Sequence, residues 1–450
     1  MPVILYSAGL LVLRMFIVRR GRDEHRAAVR QSELRVEVAA GDENKAPEPV
    51  ALPKVSVIVA ARNEEKSITT LLESLTQQDY PQELLEVVIV NDNSTDRTPI
   101  VVSEFISSRK GQPGARIRLI YNPFSGKKRA VRYGIEKSTG EIILTTDADC
   151  IAGPGWVRSH ATCYDRARSE PFSSPATADG GIDRSNIFAS TAASGEAADG
   201  GIDRSNIFAY TASSGQATSG QTQSLHSRDR ENLPAMVLAP VYQRPGRGFW
   251  SHFGVYEFSA LQAVTEATAV VGHPVMCNAA NMSFRRESYL RHADELRPDL
   301  PSGDDMFLLQ AVMRDGGAVR HHGRSAAAVE TAAAVSAAAL LRQRARWASK
   351  AFHYRDAPTL TIAAATAACN AAVTAAAVMA CFSVEYVPVV AAMYGIRIIP
   401  DYLIIAGEMK KRGGRMQMIS FIASEFVYPF YFIVVGVMSL FPSARRFRGR

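Results

Sequence analysis

Residues 142–150 read Ile-Ile-Leu-Thr-Thr-Asp-Ala-Asp-Cys, an apolar run that ends in two aspartates one residue apart. Gly140 precedes the run and Gly-Pro-Gly follows it at 153–155, which is typical of a short buried strand. In open α/β sheets, ligands bind at the carboxyl ends of the strands. The stretch therefore predicts that Asp147 and Asp149 lie at a ligand-binding edge of a sheet.

The two aspartates carry like charges at close range, so we expect a cation beside them. A hard divalent ion such as Mg²⁺ or Mn²⁺ prefers oxygen ligands and can hold a diphosphate at the same time. Asp147 and Asp149 are therefore the candidate metal ligands. A single Asp-x-Asp pattern is also typical of a solvated turn at a strand end, so the neighbouring motifs decide between the two interpretations.

Apolar runs alternate with helical patterns on both sides of this stretch. Strands are predicted at 55–61, 84–90, 117–121 and 142–146, with helices from 68, 96 and 129 between them. Buried strands that alternate with helices form a mostly parallel sheet covered on both faces, so the predicted fold class is α/β. Further along, we predict a strand at 236–241, a helix at 249–269 and an alanine-rich helix at 325–341.

An insertion at 172–230 interrupts this alternation and is rich in Ser, Ala, Gly and Thr. Residues 178–189 recur identically at 198–209, but two copies are too few for a solenoid. Each copy has few large apolar residues, so we expect a flexible surface insertion. A calcium-binding interpretation is less favoured because the nonapeptide spacing is absent.

Apolar segments flank the α/β region at both ends. We predict an N-terminal membrane anchor at 1–20, with a peripheral amphipathic helix as the alternative, and a juxtamembrane helix and linker at 21–53. Residues 359–382, 387–407 and 418–441 are each long enough to span a bilayer, which gives a C-terminal transmembrane region at 359–441. Two spans with one interfacial segment would agree better with the positive-inside tendency, and this alternative stays open.

Charge and cysteine content narrow the partners and the compartment. The 450-residue chain has a net charge of +7, and its basic residues gather beside the apolar segments, at 14–22, 410–415 and 445–450. This placement favours membrane lipids over nucleic acid, and no zinc finger or RNP-type motif is present. Five cysteines without a Cys-x-x-Cys pair indicate free thiols in a reducing compartment.

Five motifs follow one another along the chain: Val-Ile-Val-Ala-Ala-Arg-Asn-Glu at 57–64, Asn-Asp-Asn-Ser-Thr-Asp at 91–96, Thr-Asp-Ala-Asp at 146–149, Gly-Asp-Asp at 303–305 and Gln-Arg-Ala-Arg-Trp at 343–347. Together they resemble the family 2 glycosyltransferases, in particular the membrane-anchored branch of cellulose, chitin and hyaluronan synthases and ceramide glucosyltransferases. The resemblance implies a GT-A (nucleotide-diphospho-sugar transferase) catalytic domain at 54–350, with flanking transmembrane helices. The insertion and the alanine-rich stretch depart from the family pattern.

The resemblance also implies a role for each motif residue on the donor side. Asp92 matches the position that contacts the nucleotide base or ribose, although it can also be a local Asx-turn residue. Asp149 matches the direct metal ligand, and Asp147 the residue near the sugar and diphosphate. The expected nucleotide-sugar-binding residues are Ala61, Arg62, Glu64, Asp92, Lys127 and Asp147. For Lys127, a phosphate contact and a solvated position at a helix start are equally favoured.

Asp305 is the candidate general base that deprotonates the acceptor hydroxyl, and Asp304 beside it is the alternative. Both can instead cap a helix. In the last motif, Arg346 can clamp phosphate and Trp347 can stack on a sugar, so Gln343, Arg346 and Trp347 are the candidate acceptor and diphosphate residues. An interfacial helix also favours these residue types. By position alone, the acceptor pocket is predicted to include His273, Cys277 and Asn281.

The sequence as a whole thus predicts an integral membrane, metal-dependent, inverting glycosyltransferase. Its catalytic domain is expected to face the cytoplasm, as in a bacterial inner membrane. The expected donor is a nucleotide-diphosphate sugar, most simply a UDP-sugar, and the acceptor a lipid or a growing glycan near the membrane. Two alternatives stay open: a processive polysaccharide synthase, and a catalytically silent binding or scaffold protein on the same fold.

Overall fold

A computed structural model of the chain describes residues 1, 3, 6–20, 52–112, 114–164, 233–297, 300 and 303–441. Nearly all of the predicted juxtamembrane segment at 21–53 lies outside the described residues. The predicted insertion at 172–230 and the basic stretch at 445–450 also lie outside them.

The strands fall into two sheets. Their bounds are β1 (Val55–Ala61), β2 (Leu85–Asn91), β3 (Arg116–Tyr121), β4 (Ile142–Thr145), β5 (Ile151–Ala152), β6 (Met236–Leu238), β7 (Val241–Arg244), β8 (Met282–Arg285), β9 (Val319–His321) and β10 (Val329–Ala332). In the described ranges, the larger sheet has the order β3-β2-β1-β4-β8-β6-β9 and the smaller one β5-β10-β7. Strands β1 to β4 are mutually parallel, whereas β8 runs antiparallel to both of its neighbours. The predicted α/β class with a mostly parallel sheet is confirmed.

Helices cover the sheet and continue beyond it. Their bounds are α1 (Ile68–Thr76), α2 (Thr98–Ser108), α3 (Lys127–Glu136), α4 (Trp156–Ala161), α5 (Phe249–Val270), α6 (Arg286–His292), α7 (Asp304–Arg314), α8 (Ala337–Ala348), α9 (Ala357–Ala380), α10 (Val387–Lys411) and α11 (Met418–Ser439). Residues 6–20 are also helical.

Strand β1 is buried on both faces, and its alternating side chains divide the core into two layers. Val57 and Val59 belong to the layer that contains Leu71 and Leu72 of α1, whereas Ile58 belongs to the layer on the opposite face with α3. Side chains alternate across a strand, so an uninterrupted apolar run requires apolar neighbours on both sides. Helices on the two faces of the sheet provide them.

Two predicted elements downstream differ from the structure. The strand predicted at 236–241 is divided into β6 and β7, which belong to different sheets. Pro240 lies between them, and because proline has no backbone N–H, it cannot continue the hydrogen-bond ladder.

The prediction of a helix at 325–341 is wrong for residues 325–336. Ser325–Ala327 forms a single 3₁₀ turn, and Val329–Ala332 is strand β10, paired with β5 on one side and β7 on the other. Helix α8 begins at Ala337, where the Ser336 hydroxyl accepts a hydrogen bond from the backbone N–H of Ala339 at 3.3 Å. Alanine favours a helix only weakly, so hydrogen bonding to two neighbouring strands outweighs that preference.

Three C-terminal helices are long and apolar enough to cross a membrane, by length and composition: Ala357–Ala380, Val384–Lys411 and Met418–Ser439. They agree with the three segments that the sequence predicts. Polar residues inside them face one another. Arg397 is 2% exposed, and its Nε lies 3.0 Å from Asp401 and 3.4 Å from Glu425.

Helix α5 joins these helices to the α/β domain. Its Val255 and Tyr256 pack in one buried cluster with Ile405 and Met409 of α10 and Phe421 of α11. The N-terminal helix joins the same region, because Leu10 contacts a cluster formed by α5 and α10. One face of α5 therefore belongs to the apolar C-terminal region.

Glu86 ties three strands together from inside the sheet. Its Oε1 accepts hydrogen bonds from the Ser56 hydroxyl at 2.5 Å and from the N–H and hydroxyl of Thr139 at 2.5 and 2.9 Å. Its Oε2 accepts one from Arg118 at 3.0 Å. Burial by itself raises the pKa of the Glu86 carboxyl, but these hydrogen bonds and Arg118 outweigh it, so the pKa lies below its ordinary value.

The turn before β4 approaches β1 so closely that only glycine fits at position 140. A Cβ on Gly140 would lie 2.5 Å from the backbone nitrogen of Ser56 and 2.8 Å from the carbonyl carbon of Val55. We expect Gly140→Ala to lower the free energy of unfolding by about 1–3 kcal/mol, because overpacking forces the backbone to shift. Gly153→Ala is the matched control, since its Cβ would meet nothing within 4 Å. Equal thermal unfolding of the two purified variants would contradict the prediction.

Replacing Glu86 is expected to change how stability depends on pH. A carboxyl with a lowered pKa stabilises the fold fully above its unfolded pKa, and this contribution is lost as the pH falls through the folded pKa. We expect Glu86→Gln to cost about 2 kcal/mol at pH 7, and the difference from wild type to shrink below about pH 4. Unfolding temperatures across that pH range measure it, with the exposed Glu83→Gln as control. A difference that does not vary with pH would show that the charge of Glu86 is not responsible.

Candidate functional site

One cleft lies at the carboxyl ends of β1, β2 and β4. The space along its lining, open solvent included, is about 1080 Å³. Ten of the fifteen residues that the sequence selects for the site line it: Ala61, Arg62, Glu64, Asp92, Lys127, Asp147, Asp149, Gln343, Arg346 and Trp347. The structure thus brings residues nearly 290 positions apart into one place.

Hydrogen bonds join the loop after β1 to the loop after β2 at the cleft. Asn63 adopts a positive φ of 57°, which its short polar side chain tolerates. Its backbone N–H donates to the Ser94 hydroxyl at 3.2 Å, and its Oδ1 accepts from the backbone N–H of Thr95 at 2.8 Å. The backbone N–H of Glu64 donates to the Thr98 hydroxyl at 2.7 Å. These contacts between neighbouring loops hold one wall of the cleft in place.

Asp92 is fixed by residues from two other segments. The residue is 3% exposed, and its Oδ1 accepts hydrogen bonds from the Asn122 side-chain amide and the Gly126 backbone N–H, both at 2.8 Å. These donors lie 30 and 34 positions away in the sequence. Asp92 therefore connects the ends of β2 and β3 to the start of α3, instead of closing a local Asx turn.

Lys127 points into the cleft and pairs with Asp147. The ammonium lies 2.5 Å from Asp147 Oδ1, and each side chain is about one third exposed, at 34% and 35%. Burial lowers the pKa of the Lys127 ammonium, but Asp147, Asp304 and Asp305 outweigh that effect and raise the pKa above its ordinary value. Lys127 therefore carries its positive charge inside the cleft at neutral pH, and the phosphate contact stays a prediction.

The carboxylates of the cleft form an incomplete donor set for a metal ion. Within the described part of the chain, no three His, Cys, Asp or Glu side chains are grouped so that they could hold one. Asp147 and Asp149 supply oxygen ligands from one turn, which fits an ion such as Mg²⁺ that usually takes one or two carboxylates and completes its shell with water and substrate oxygens. Burial raises the pKa of the neighbouring Cys150 thiol, so this residue offers no thiolate.

Asp304 and Asp305 stand beside the cleft and are absent from its lining. They are the first two residues of α7, after Gly303 with a φ of 97°. Asp304 is buried, and burial together with the charge of Asp305 raises its pKa. Asp305 is half-buried, and its Oδ2 accepts a hydrogen bond from the backbone N–H of Ala279 at 3.3 Å. Asp305 therefore contacts the segment that forms one wall of the cleft.

Helix α8 carries the last motif on its inner face. Gln343, Arg346 and Trp347 line the cleft, and Phe258 of α5 lies beside Trp347 with a distance of 6.1 Å between ring centroids. Arg344 was not among the predicted site residues. Arg344 lies inside the same motif, and its guanidinium carbon is 4.2 Å from the centroid of the Trp347 ring.

The acceptor-pocket prediction for His273, Cys277 and Asn281 is not supported, since none of the three lines the cleft. His273 is exposed. Asn281 is 1% exposed and holds the backbone, with its side-chain amide donating to the carbonyls of Pro240 at 2.6 Å and Ala327 at 2.8 Å. Cleft residues that the sequence did not indicate include Asn278, Gln243 and Thr331. No sequence motif marks these residues. Gln243 lies on β7 and Thr331 on β10, two strands of the smaller sheet.

Residues 56–169 match the family model for glycosyl transferase family 2. The chain carries a family 2 glycosyltransferase domain. Together with the mostly parallel α/β sheet, this match confirms the GT-A fold class that the motif order predicts. The family 2 match ends at 169 and so includes the motifs at 57–64, 91–96 and 146–149.

Known proteins similar to part of this chain include two curated relatives. The probable glycosyltransferase YdaM of Bacillus subtilis is 41% identical over 98 residues, which cover 22% of this chain and 23% of that protein. The beta-monoglucosyldiacylglycerol synthase of Nostoc sp. is 37% identical over 99 residues, covering 22% of this chain and 21% of that protein. The matched region thus spans less than a quarter of either relative.

Solved structures align with this chain at low sequence identity and with TM-scores below 0.5. The mannosyltransferase PcManGT from Pyrobaculum calidifontis, in complex with GDP-Man and Mn²⁺, aligns over 98% of this chain and 99% of its own, with 17% identity and a TM-score of 0.47. TarS of S. aureus, residues 1–349 in complex with UDP-GlcNAc, covers 83% of this chain and 91% of its own, with 15% identity and a TM-score of 0.35.

Proposed function

We propose that the chain is a membrane-anchored glycosyltransferase that moves a sugar from a UDP-sugar to a lipid or glycan acceptor. The observation that carries the proposal is the convergence of the motif residues on one cleft, part of whose lining comes from the region that matches family 2. A scaffold protein without catalysis has no need to hold several carboxylates together against their mutual repulsion. Such strained groupings of charge are typical of active sites.

The donor end of the cleft is assigned to the β1 and β2 loops. Asp92, held by Asn122 and Gly126, offers a fixed acceptor for N–H or hydroxyl groups of the nucleoside. Lys127 and Arg346 are the cations that line the cleft with Arg62, and they suit the diphosphate. The hydrogen bonds between the loops after β1 and β2 keep these groups in place before the donor binds, which reduces the entropy lost on binding.

Asp147 and Asp149 are the residues that would hold a divalent ion, Mg²⁺ or Mn²⁺. When bound, such an ion neutralises the charge that develops on the leaving diphosphate. The chain itself supports the same charge balance, because the Lys127 ammonium already lies 2.5 Å from Asp147. That contact fixes the Asp147 side chain on the side of the cleft where the diphosphate is expected.

Asp305 is assigned as the general base. The acceptor oxygen forms its bond to the anomeric carbon while the bond from that carbon to the diphosphate oxygen breaks, and the hydroxyl proton passes to the Asp305 carboxylate. Attack from the face opposite the leaving group inverts the anomeric configuration. Asp304 is less suited to this role because it is buried, whereas Asp305 is half-buried beside the cleft wall.

The acceptor side of the cleft adjoins the apolar helices. Phe258 of α5 lines the cleft, and Val255 and Tyr256 of the same helix pack against α10 and α11. An acceptor that is embedded in or attached to the membrane can therefore reach Trp347 without leaving the bilayer surface. The similarity to a beta-monoglucosyldiacylglycerol synthase supports a lipid acceptor.

We assign the catalytic domain to the cytoplasmic side. The last turn of α10 and the segment after it carry Lys410, Lys411, Arg412 and Arg415, and basic residues beside membrane spans are enriched in the cytoplasm. Arg412 is also fixed to the α/β domain, because its Nη1 donates to the backbone carbonyl of Gln243 at 2.6 Å. The basic end of α10 and the cleft therefore lie on the same side of the proposed membrane.

The transfer reaction is tested with purified full-length protein, a panel of UDP-sugars, Mn²⁺ or Mg²⁺, and a lipid extract as acceptor. We expect nucleotide release from one donor, and loss of about 100-fold or more for both Asp149→Ala and Asp305→Asn. Asp294→Asn is the control, because its side chain is 91% exposed. Product size then separates a single transfer from a polymer. A folded wild-type protein that releases no nucleotide from any UDP-sugar of the panel would refute the proposal.

Lys127 is expected to act on the diphosphate and not on the nucleoside. Lys127→Met should weaken UDP binding about tenfold, or about 1.4 kcal/mol, and leave uridine binding unchanged, because only the charged part of the ligand meets the ammonium. Isothermal titration of both ligands measures this. The exposed Lys66→Met serves as a control for overall charge. Equal losses for UDP and uridine would place Lys127 outside the diphosphate site.

A further inference from the structure

Arg344 is a buried cation that touches two acceptor-side residues at once. The residue is 3% exposed, and its Nη1 donates to Gln343 Oε1 at 2.8 Å. Its guanidinium carbon lies 4.2 Å from the centroid of the Trp347 ring and 5.6 Å from that of Phe258. A guanidinium at this distance from an aromatic face is attracted to the ring, which restricts the ring's orientation.

Glu257 of α5 holds the other side of the guanidinium. Its Oε2 accepts from Arg344 Nε at 2.8 Å and lies 2.7 Å from Nη2, and the two side chains are 4% and 9% exposed. Both nitrogens face the same carboxylate oxygen, with Nε as the hydrogen-bond donor. The planar guanidinium presents two nitrogens on one edge, which the single ammonium of lysine cannot reproduce. The orientation of the guanidinium is therefore set by α5.

The contact continues to the last apolar helix. The Tyr431 hydroxyl of α11 donates to Glu257 Oε1 at 3.3 Å, so both oxygens of Glu257 are engaged. A series of direct contacts thus runs from α11 through Glu257 and Arg344 to Trp347 in the cleft. The Tyr431 contact connects α11 to α5, and the Arg344 contact connects α5 to α8.

We propose that Arg344 and Glu257 are a positioning pair that orients Trp347 and Gln343 toward the acceptor and connects this wall of the cleft to α11. The inference rests on the proposed glycosyl transfer and assigns two residues to its acceptor side. A buried ion pair contributes little to stability compared with apolar residues of the same volume, so geometry is the better explanation for it. Neither residue lines the cleft, and both act through the side chains that do.

The test compares Arg344→Lys with Arg342→Lys, a control at an exposed position on the same helix. We expect Arg344→Lys to lower the transfer rate about tenfold or more while changing UDP affinity less than about twofold. Glu257→Gln should act in the same way, and Tyr431→Phe should lower transfer about threefold.

A second readout follows Trp347 without any reaction. Acrylamide quenching of tryptophan fluorescence is measured for each protein and for the same protein with Trp347→Phe, so that the difference isolates this ring. In Arg344→Lys the Trp347 contribution should become more accessible to the quencher, whereas Arg342→Lys should match wild type.

The outcomes separate the two proposals. A wild-type protein without transfer activity refutes the proposed function, and the quenching comparison alone then decides whether Arg344 orients Trp347. Unchanged quenching in Arg344→Lys overturns the positioning role. A loss of UDP affinity parallel to the loss of transfer also overturns it, because that result indicates a general structural defect.

Discussion

Electrostatic repulsion at the ends of the parallel strands is the constraint on which the site depends. Glu64, Asp92, Asp147 and Asp149 all line one cleft, and like charges at short range raise the energy of the folded chain unless something opposes them. The protein opposes the repulsion with Lys127 and with backbone N–H groups such as that of Gly126. The cationic side chains of Arg62, Lys127 and Arg346 lie along the same lining as these carboxylates.

The sheet supports this arrangement because its own polar contacts are internal. Glu86 joins β1, β2 and β3 from within, and Gly140 lets the chain enter β4 in direct contact with β1. The strand ends are therefore held at fixed separations, and the loops that follow them start from fixed positions. A cleft built on loops alone would not hold its charged groups at fixed distances.

Much of this could be predicted from the sequence, for a physical reason. Continuous apolar runs such as 55–61 and 142–145 have few alternatives to a buried strand, and the motif residues follow those strands directly. The prediction failed where distant partners decide the structure. Val329–Ala332 is a strand because β5 and β7 pair with it, and the guanidinium of Arg344 lies over Trp347 while it is hydrogen-bonded to Glu257, 87 positions earlier. No local pattern contains that information.

Helix α5 serves two environments at once, with Phe258 at the cleft and Val255 and Tyr256 against α10 and α11. Apolar helices tilt when the thickness of a bilayer differs from their own apolar length. A tilt of α10 or α11 would be passed to α5 as a rigid-body displacement, and from there to the acceptor wall. In the membrane-anchored enzyme proposed above, the lipid composition of the bilayer would thereby be a variable of the active site, even for lipids that are never substrates.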